Sequence, residues 1–467
     1  MSDVALTALS LTEASALLRG GTVSSVELTD AYLARIDALD GRLRSFITVS
    51  GERARMDAAR ADAERAAGRW RGPLHGIPVA VKDLFDTAGI RTTANSKLLA
   101  DRVPTLDSTV VRRLGDAGAV LLGKLQMNEF AMGPTAEDDF RPPARNPWDA
   151  GRSPGGSSSG SAVALAAGLC AGSFGSDTGG SIRAPAAYCG VVGLKPTFGR
   201  VSRHGVAVLS WSFDHAGPMA RTVADVAELL QATAGIDQLD PSTEAVRVPD
   251  YARALTGSIR GLVVGAPLEF VAAQPGIEPD VLAAYRAAVE TLRGLGAQVR
   301  EIVLPTELEH FDASFTPILA SEAAAVQEAR LRARGGDFSA GFRRRVVEGY
   351  LYSAVDYVQA QRGRALITRA FDTLMTEVDL IATPVVQRTA PTVQEYGTVA
   401  RSSFTSYFNL TGQPAIAVPC GFDRSGLPIG LMLAGRRFDE PAVLRAADAY
   451  ERASGWRGRR PLLETAA

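Results

Sequence analysis

Short apolar runs of strand length recur along almost the whole 467-residue chain, with amphipathic helical patterns between them. Ile77-Pro78-Val79-Ala80-Val81, Ala119-Val120-Leu121-Leu122 and Leu262-Val263-Val264 are uncharged and too short for buried helices, which fits strands covered on both faces. Leu282, Tyr285, Val289 and Leu292 recur at helical spacing. Ser24-Ser25-Val26-Glu27 is a capping-box pattern ahead of Leu28, Tyr32, Leu33 and Ile36, so a helix is expected to start near Val26. Leu380-Ile381-Ala382, Ala415-Ile416-Ala417-Val418 and Ile429-Gly430-Leu431-Met432-Leu433 extend the pattern far down the chain, and no charged or low-complexity linker interrupts it. Strands alternating with helices place the chain in the α/β class. The lack of a linker or repeat predicts one domain over residues 1–467, with residues 1–70 as an N-terminal helical part. Pro241 to Arg260 and Arg330 to Arg345 read as surface insertions.

The charge balance narrows the partners. Fifty lysines and arginines stand against 51 aspartates and glutamates, so no overall field draws the chain to nucleic acid or to an anionic membrane. Cys170, Cys189 and Cys420 are scattered and odd in number, which indicates neither a disulfide framework nor a metal site. The first residues lack a basic segment followed by a continuous apolar run, and no stretch reaches the roughly 18 apolar residues that spanning requires. A cytoplasmic protein in a reducing compartment is expected.

Between Ser153 and Ser181 the chain is dense in glycine and serine. A flexible linker does not fit, because Ala162 to Leu169 is apolar and helix-forming. A phosphate-binding loop does not fit either, since Gly160 is followed by Ser161 and Ala162 and the block holds no lysine. Gly156-Ser157-Ser158-Ser159-Gly160 formally satisfies the nucleophile-elbow pattern with Ser158 at its centre. An elbow needs a preceding strand and a later histidine, but the preceding Ala144-Arg145-Asn146-Pro147-Trp148 is irregular. The chain has only His75, His204, His215 and His310, and none of the last three sits in a matching pattern.

Gly76-Ile77-Pro78-Val79-Ala80-Val81-Lys82-Asp83, the run from Gly155 to Ala162, and Ser176-Asp177-Thr178-Gly179-Gly180-Ser181-Ile182-Arg183 resemble the three defining blocks of the amidase-signature family. Gly123-Lys124 with Met127 to Gly133, Cys189 to Thr197, and Asn409 to Ala415 extend the likeness over most of the chain. The resemblance implies a central twisted mixed β-sheet covered by helices on both faces, with residues 76–200 as the catalytic core segment. It also implies Ser181 as nucleophile, Ser157 as proton bridge after a cis Gly156-Ser157 peptide, and Lys82 as base. Their separations, 75 and 24 residues, are similar to the family's own.

Residue chemistry agrees with those roles. A serine hydroxyl attacks only when a base takes its proton. A lysine serves as base only when neutral, which requires its pKa to fall by about 3 from 10.4, roughly 4 kcal/mol, through desolvation and neighbours. The N–H groups from Thr178, Gly179 and Gly180 to Ser181 can form an oxyanion hole. Asp177 and Ser158 read as supports, and Arg183 as loop support or as a grip on a substrate carboxylate. Gln126, Phe130, Ala131 and Met132 are candidate substrate-binding residues, with Leu125 beside them.

The implied reaction is hydrolysis of a carboxamide or related C–N acyl bond (amide, anilide or carbamate) through an acyl-enzyme, and relatives that cleave esters or urethanes share that machinery. No metal or organic cofactor is needed for it. The expected partner is a small amide or carbamate, with no nucleic acid and no membrane, and a homodimer is left open. A specific alternative is the glutaminase subunit of a transfer-RNA-dependent amidotransferase, which the Met127-to-Gly133 block and the tail resemble. Leu125-Gln126 replaces that subunit's usual Thr-Asn pair, which favours a stand-alone amidase. A catalytically silent binding or scaffold protein is the alternative of another class. Substrate choice is assigned to the segments from Glu309 to Tyr352 and from Pro384 to Phe408.

Overall fold

The apolar run ending in Lys82 forms a strand whose five residues are all buried, because it lies inside a sheet flanked by helices. The computed structural model describes residues 2–133, 136–137, 139–305, 308–397 and 403–463. Among these, the strands are β1 (Phe46–Val49), β2 (Pro78–Lys82), β3 (Val120–Leu125), β4 (Gly172–Asp177), β5 (Val192–Lys195) and β6 (His215–Ala220). They continue with β7 (Val263–Ala266), β8 (Gln298–Glu301), β9 (Leu380–Pro384), β10 (Ala415–Phe422) and β11 (Pro428–Gly435). All join one sheet in the order β1-β3-β2-β4-β6-β5-β10-β11-β9-β7-β8. Strand β2 runs parallel to β3 and β4, and β7 parallel to β8 and β9; the remaining neighbours are antiparallel. The chain is thus a single α/β domain with a mixed sheet, as expected.

The helices follow from local signals. Ser24 caps the helix Ser25–Leu43: its hydroxyl accepts the Glu27 N–H while the Glu27 carboxylate accepts the Ser24 N–H, a cap of about 1 kcal/mol. That helix buries Leu28, Tyr32, Leu33, Ile36 and Leu39, each large apolar side chain stabilising the fold by about 1.5–3 kcal/mol. The helix Pro279–Gly294 buries Val281, Tyr285, Val289 and Leu292, and the Tyr285 hydroxyl donates to the Ala382 carbonyl of β9 at 2.9 Å.

Two segments depart from the sequence reading. Strand β4, Gly-Ser-Phe-Gly-Ser-Asp, lacks an apolar run yet occupies the middle of the sheet. Its residues are small because neighbours press on it: a Cβ on Gly175 would lie 2.6 Å from Ser158 Oγ. Arg330 to Arg345 is largely exposed, as expected, but it is helical and buries Phe338 and Phe342. It ends the helix Leu308–Arg334 and enters the helix Ala340–Glu348, which carries Arg345 to the cavity described below.

Candidate active site

Strands β2 and β4 end side by side, and the turn after β4 carries Thr178, Gly179, Gly180 and Ser181 into a cavity of about 190 Å³ that Ser157 also lines. Lys82 is the last residue of β2 and is fully buried. Its Nζ donates to Ser157 Oγ at 2.7 Å and to Ser176 Oγ at 2.8 Å. Burial pushes its pKa down to about 7 against the opposing pull of the Asp177 and Asp214 carboxylates. Asp83 does not pair with Lys82; it lies 3.7 Å from Lys124 Nζ and accepts the Thr93 hydroxyl and N–H. The Gly156-Ser157 peptide is cis. A buried lysine with a pKa near 7 bonded to a serine can take and return a proton.

The turn before Ser181 is built around Asp177. Its carboxylate accepts the N–H groups of Gly180 at 2.8 Å and Ile182 at 3.0 Å, and it pairs with Arg183 Nη2 at 2.9 Å and Nε at 3.0 Å. Burial opposes its charge, but Arg183 and the Asn409 carboxamide outweigh burial and hold it well below the usual carboxylate range. The Gly179 carbonyl accepts the Thr405 hydroxyl at 2.7 Å and the Ser406 hydroxyl at 3.0 Å. Gly180 adopts φ +129°, and a Cβ there would sit 2.5 Å from Thr405 Oγ1, so only glycine fits this turn.

Several sequence expectations shift. The Gly180 N–H is engaged by Asp177 and is not available to an oxyanion, whereas among the described residues the N–H groups of Thr178, Gly179 and Ser181 have no protein acceptor. Ala131 and Met132 line the cavity, but Gln126 and Phe130 do not. The Gln126 side chain donates to the Pro142 carbonyl at 2.7 Å. Left-handed backbone at Phe130 and Ala131, φ 42° and 65°, directs the phenyl ring onto Phe338 and Phe342. Arg183 is fully buried in its bonds to Asp177, Asn409 and the Thr405 carbonyl and does not line the cavity. Ser158 Oγ donates to the Ser176 carbonyl and accepts the Ser176 N–H, which leaves Ser158 outside the cavity lining. His75, His204, His215 and His310 also lie outside it.

The chain-wide pattern matches a protein-family model described as Amidase over residues 27–444. The chain belongs to the amidase-signature family. The A subunit of glutamyl-tRNA(Gln) amidotransferase from Roseiflexus sp. (strain RS-1) is 45% identical over 485 aligned positions, covering 97% of this chain and 98% of that protein. Among solved structures, the peptide amidase from Stenotrophomonas maltophilia is 34% identical with a TM-score of 0.85, covering 97% of this chain and 98% of the other. The corresponding amidotransferase polypeptide from Thermotoga maritima is 33% identical with a TM-score of 0.79, covering 100% and 98%. As an amidase-signature domain, the chain also uses wall residues that its sequence placed by segment and did not single out. Asn128, Arg345, Arg388, Tyr396, Thr405 and Ser406 all line the cavity. All of these but Asn128 fall within the two segments expected to set substrate choice; residues 398–402 of the second segment lie outside the described residues.

Proposed function

We propose that this amidase-signature chain hydrolyses a carboxamide-type C–N bond through a Ser181, Ser157 and Lys82 relay. The observation that carries the reading is Lys82 Nζ, 2.7 Å from Ser157 Oγ, with its pKa lowered to about 7 beside the cavity that Ser181 lines. Neutral Lys82 takes the Ser157 proton as Ser157 takes that of Ser181, and Ser181 Oγ attacks the carbonyl carbon. The oxyanion forms against the N–H groups of Thr178, Gly179 and Ser181; losing one such donor typically costs about 3–4 kcal/mol of transition-state stabilisation. The proton returns through Ser157 to the leaving nitrogen, the amine departs, and water releases the acyl group by the same route. Esters, anilides and carbamates are alternative substrates for that chemistry.

Two finer readings have separate support. Full-length identity of 45% favours the glutaminase subunit of a transfer-RNA-dependent amidotransferase, with the partner subunits and nucleic-acid-linked substrate such an assembly implies. The cavity's charge favours a stand-alone amidase. Its described lining holds Arg345 and Arg388 and no carboxylate, so a substrate carboxylate finds a counter-charge while the ammonium of free glutamine finds none. The isolated chain should be assayed with L-glutamine and with the monoamide of glutaric acid, which lacks the amine. Faster ammonia release from the glutaric monoamide supports the stand-alone amidase, and faster release from glutamine supports the amidotransferase reading. Turnover of either that survives Ser181→Ala would overturn the relay.

A further inference from the structure

We propose that Asp214 is a positioning residue for this reaction, its buried carboxylate holding two walls of the cavity in register. The inference rests on the relay proposed above. Asp214 immediately precedes β6, and the antiparallel pairing of β6 with β4 sets His215 opposite Asp177, which brings Asp214 to the turn that starts at Thr178. Its Oδ1 accepts the Thr178 hydroxyl at 2.7 Å. Its Oδ2 accepts the N–H groups of Leu209 at 2.8 Å and Ser210 at 3.1 Å. Thr178 and Leu209 both line the cavity, so one carboxylate joins the oxyanion turn to a second lining segment.

The Thr178–Gly179 segment is thereby held from both sides. Asp214 fixes Thr178, while Thr405 and Ser406 fix the Gly179 carbonyl. The Gly179 N–H between these anchors has no protein acceptor among the described residues. Asp214 also acts on Lys82 at a distance. The carboxylates whose fields bear on Lys82 are Asp177 and Asp214. Asp177 is closely paired with Arg183 and bonded to Asn409, whereas Asp214 faces Arg203 with no ion pair between their side chains. Burial raises the pKa of Asp214, and its donors Thr178, Leu209 and Ser210, with Arg203, pull it back. A carboxylate that only holds the fold would affect stability without moving the pH response of the nucleophile.

The test follows fluorophosphonate inactivation and amide turnover from pH 5 to 9 in the parent, Asp214→Asn, Thr178→Val and Thr178→Ser. In Asp214→Asn the acid limb, near pH 7 in the parent, should move to lower pH by roughly half a pH unit, because a negative charge that favours protonated Lys82 is gone. Its plateau kcat should fall about tenfold with KM nearly unchanged, the pattern of an interaction made in the transition state. Thr178→Val should lower the plateau without moving the limb, and Thr178→Ser, which keeps the hydroxyl, should lose clearly less of the plateau than Thr178→Val. An unmoved limb with parental kcat in Asp214→Asn, or equal losses in Thr178→Ser and Thr178→Val, would overturn the inference. Failure of the parent to label at Ser181 would instead overturn the relay on which it rests.

Discussion

Lys82 Nζ and Ser157 Oγ lie 2.7 Å apart although 75 residues separate them, because β2 runs beside β4, to whose Ser176 backbone the next residue, Ser158, is bonded. The contact joins an amine whose charged form burial disfavours to a hydroxyl that can hand it a proton. Its consequences can be measured in both stability and rate.

Lys82→Met should abolish turnover and yet raise stability at low pH. The pKa of Lys82 is lowered in the folded chain, to about 7 from 10.5. Between those values the unfolded chain binds the extra proton, so this lysine's contribution to stability rises as pH climbs from 7 toward 10.5 and is most unfavourable below 7. The stability gained in Lys82→Met should therefore be roughly 2–3 kcal/mol larger at pH 6 than at pH 9. Urea unfolding of parent and variant at the two pH values measures this.

For the same reason kcat/KM should rise with pH through an apparent pKa near 7 and then level, since only neutral Lys82 accepts the proton. A profile flat from pH 5.5 to 8.5 would contradict that assignment. Initial rates in buffers of matched ionic strength suffice.

Arg183→Lys should be poorly tolerated despite keeping the charge. The guanidinium bonds Asp177 through two nitrogens and also reaches Asn409 and the Thr405 carbonyl, all of them buried, which one ammonium cannot reproduce. Truncation in Arg183→Ala leaves Asp177 buried and unpaired, a loss of about 3–5 kcal/mol by thermal or denaturant unfolding.

What could be read in the sequence was whatever sits in a short contiguous block. The run Ile77 to Val81, ending at Lys82, and the turn from Asp177 to Ser181 each hold their chemistry within a few residues, so strand, base and turn could be placed in advance. Arg345, Arg388, Thr405 and Ser406 could be placed only by segment, and Asp214, bonded to Thr178, not at all, because each comes to the site only once distant segments pack together. Proximity along the chain also misled. Phe130 precedes Ala131, yet two left-handed residues in succession direct the ring away from the cavity that Ala131 lines. Strand β4 was hidden because close packing demands small residues where a buried strand usually shows branched apolar ones.

Arg388→Gln should raise KM for amides that carry a carboxylate by about tenfold, while KM for neutral amides changes little. Arg388 lines the cavity and makes no ion pair among the described residues, so its charge is available to a substrate. Arg345 already lies 3.4 Å from Glu348, and Arg345→Gln should have the smaller effect. Parallel kinetics on the glutaric monoamide and a neutral amide of similar length read the difference.

The most direct test of the relay is the intact mass of the parent and of Ser181→Ala after exposure to a serine-reactive fluorophosphonate, with the adduct located by peptide mapping. One adduct on Ser181 in the parent and none in folded Ser181→Ala is the predicted result. An adduct on Ser158, or none on folded and catalytically competent parent, would contradict it.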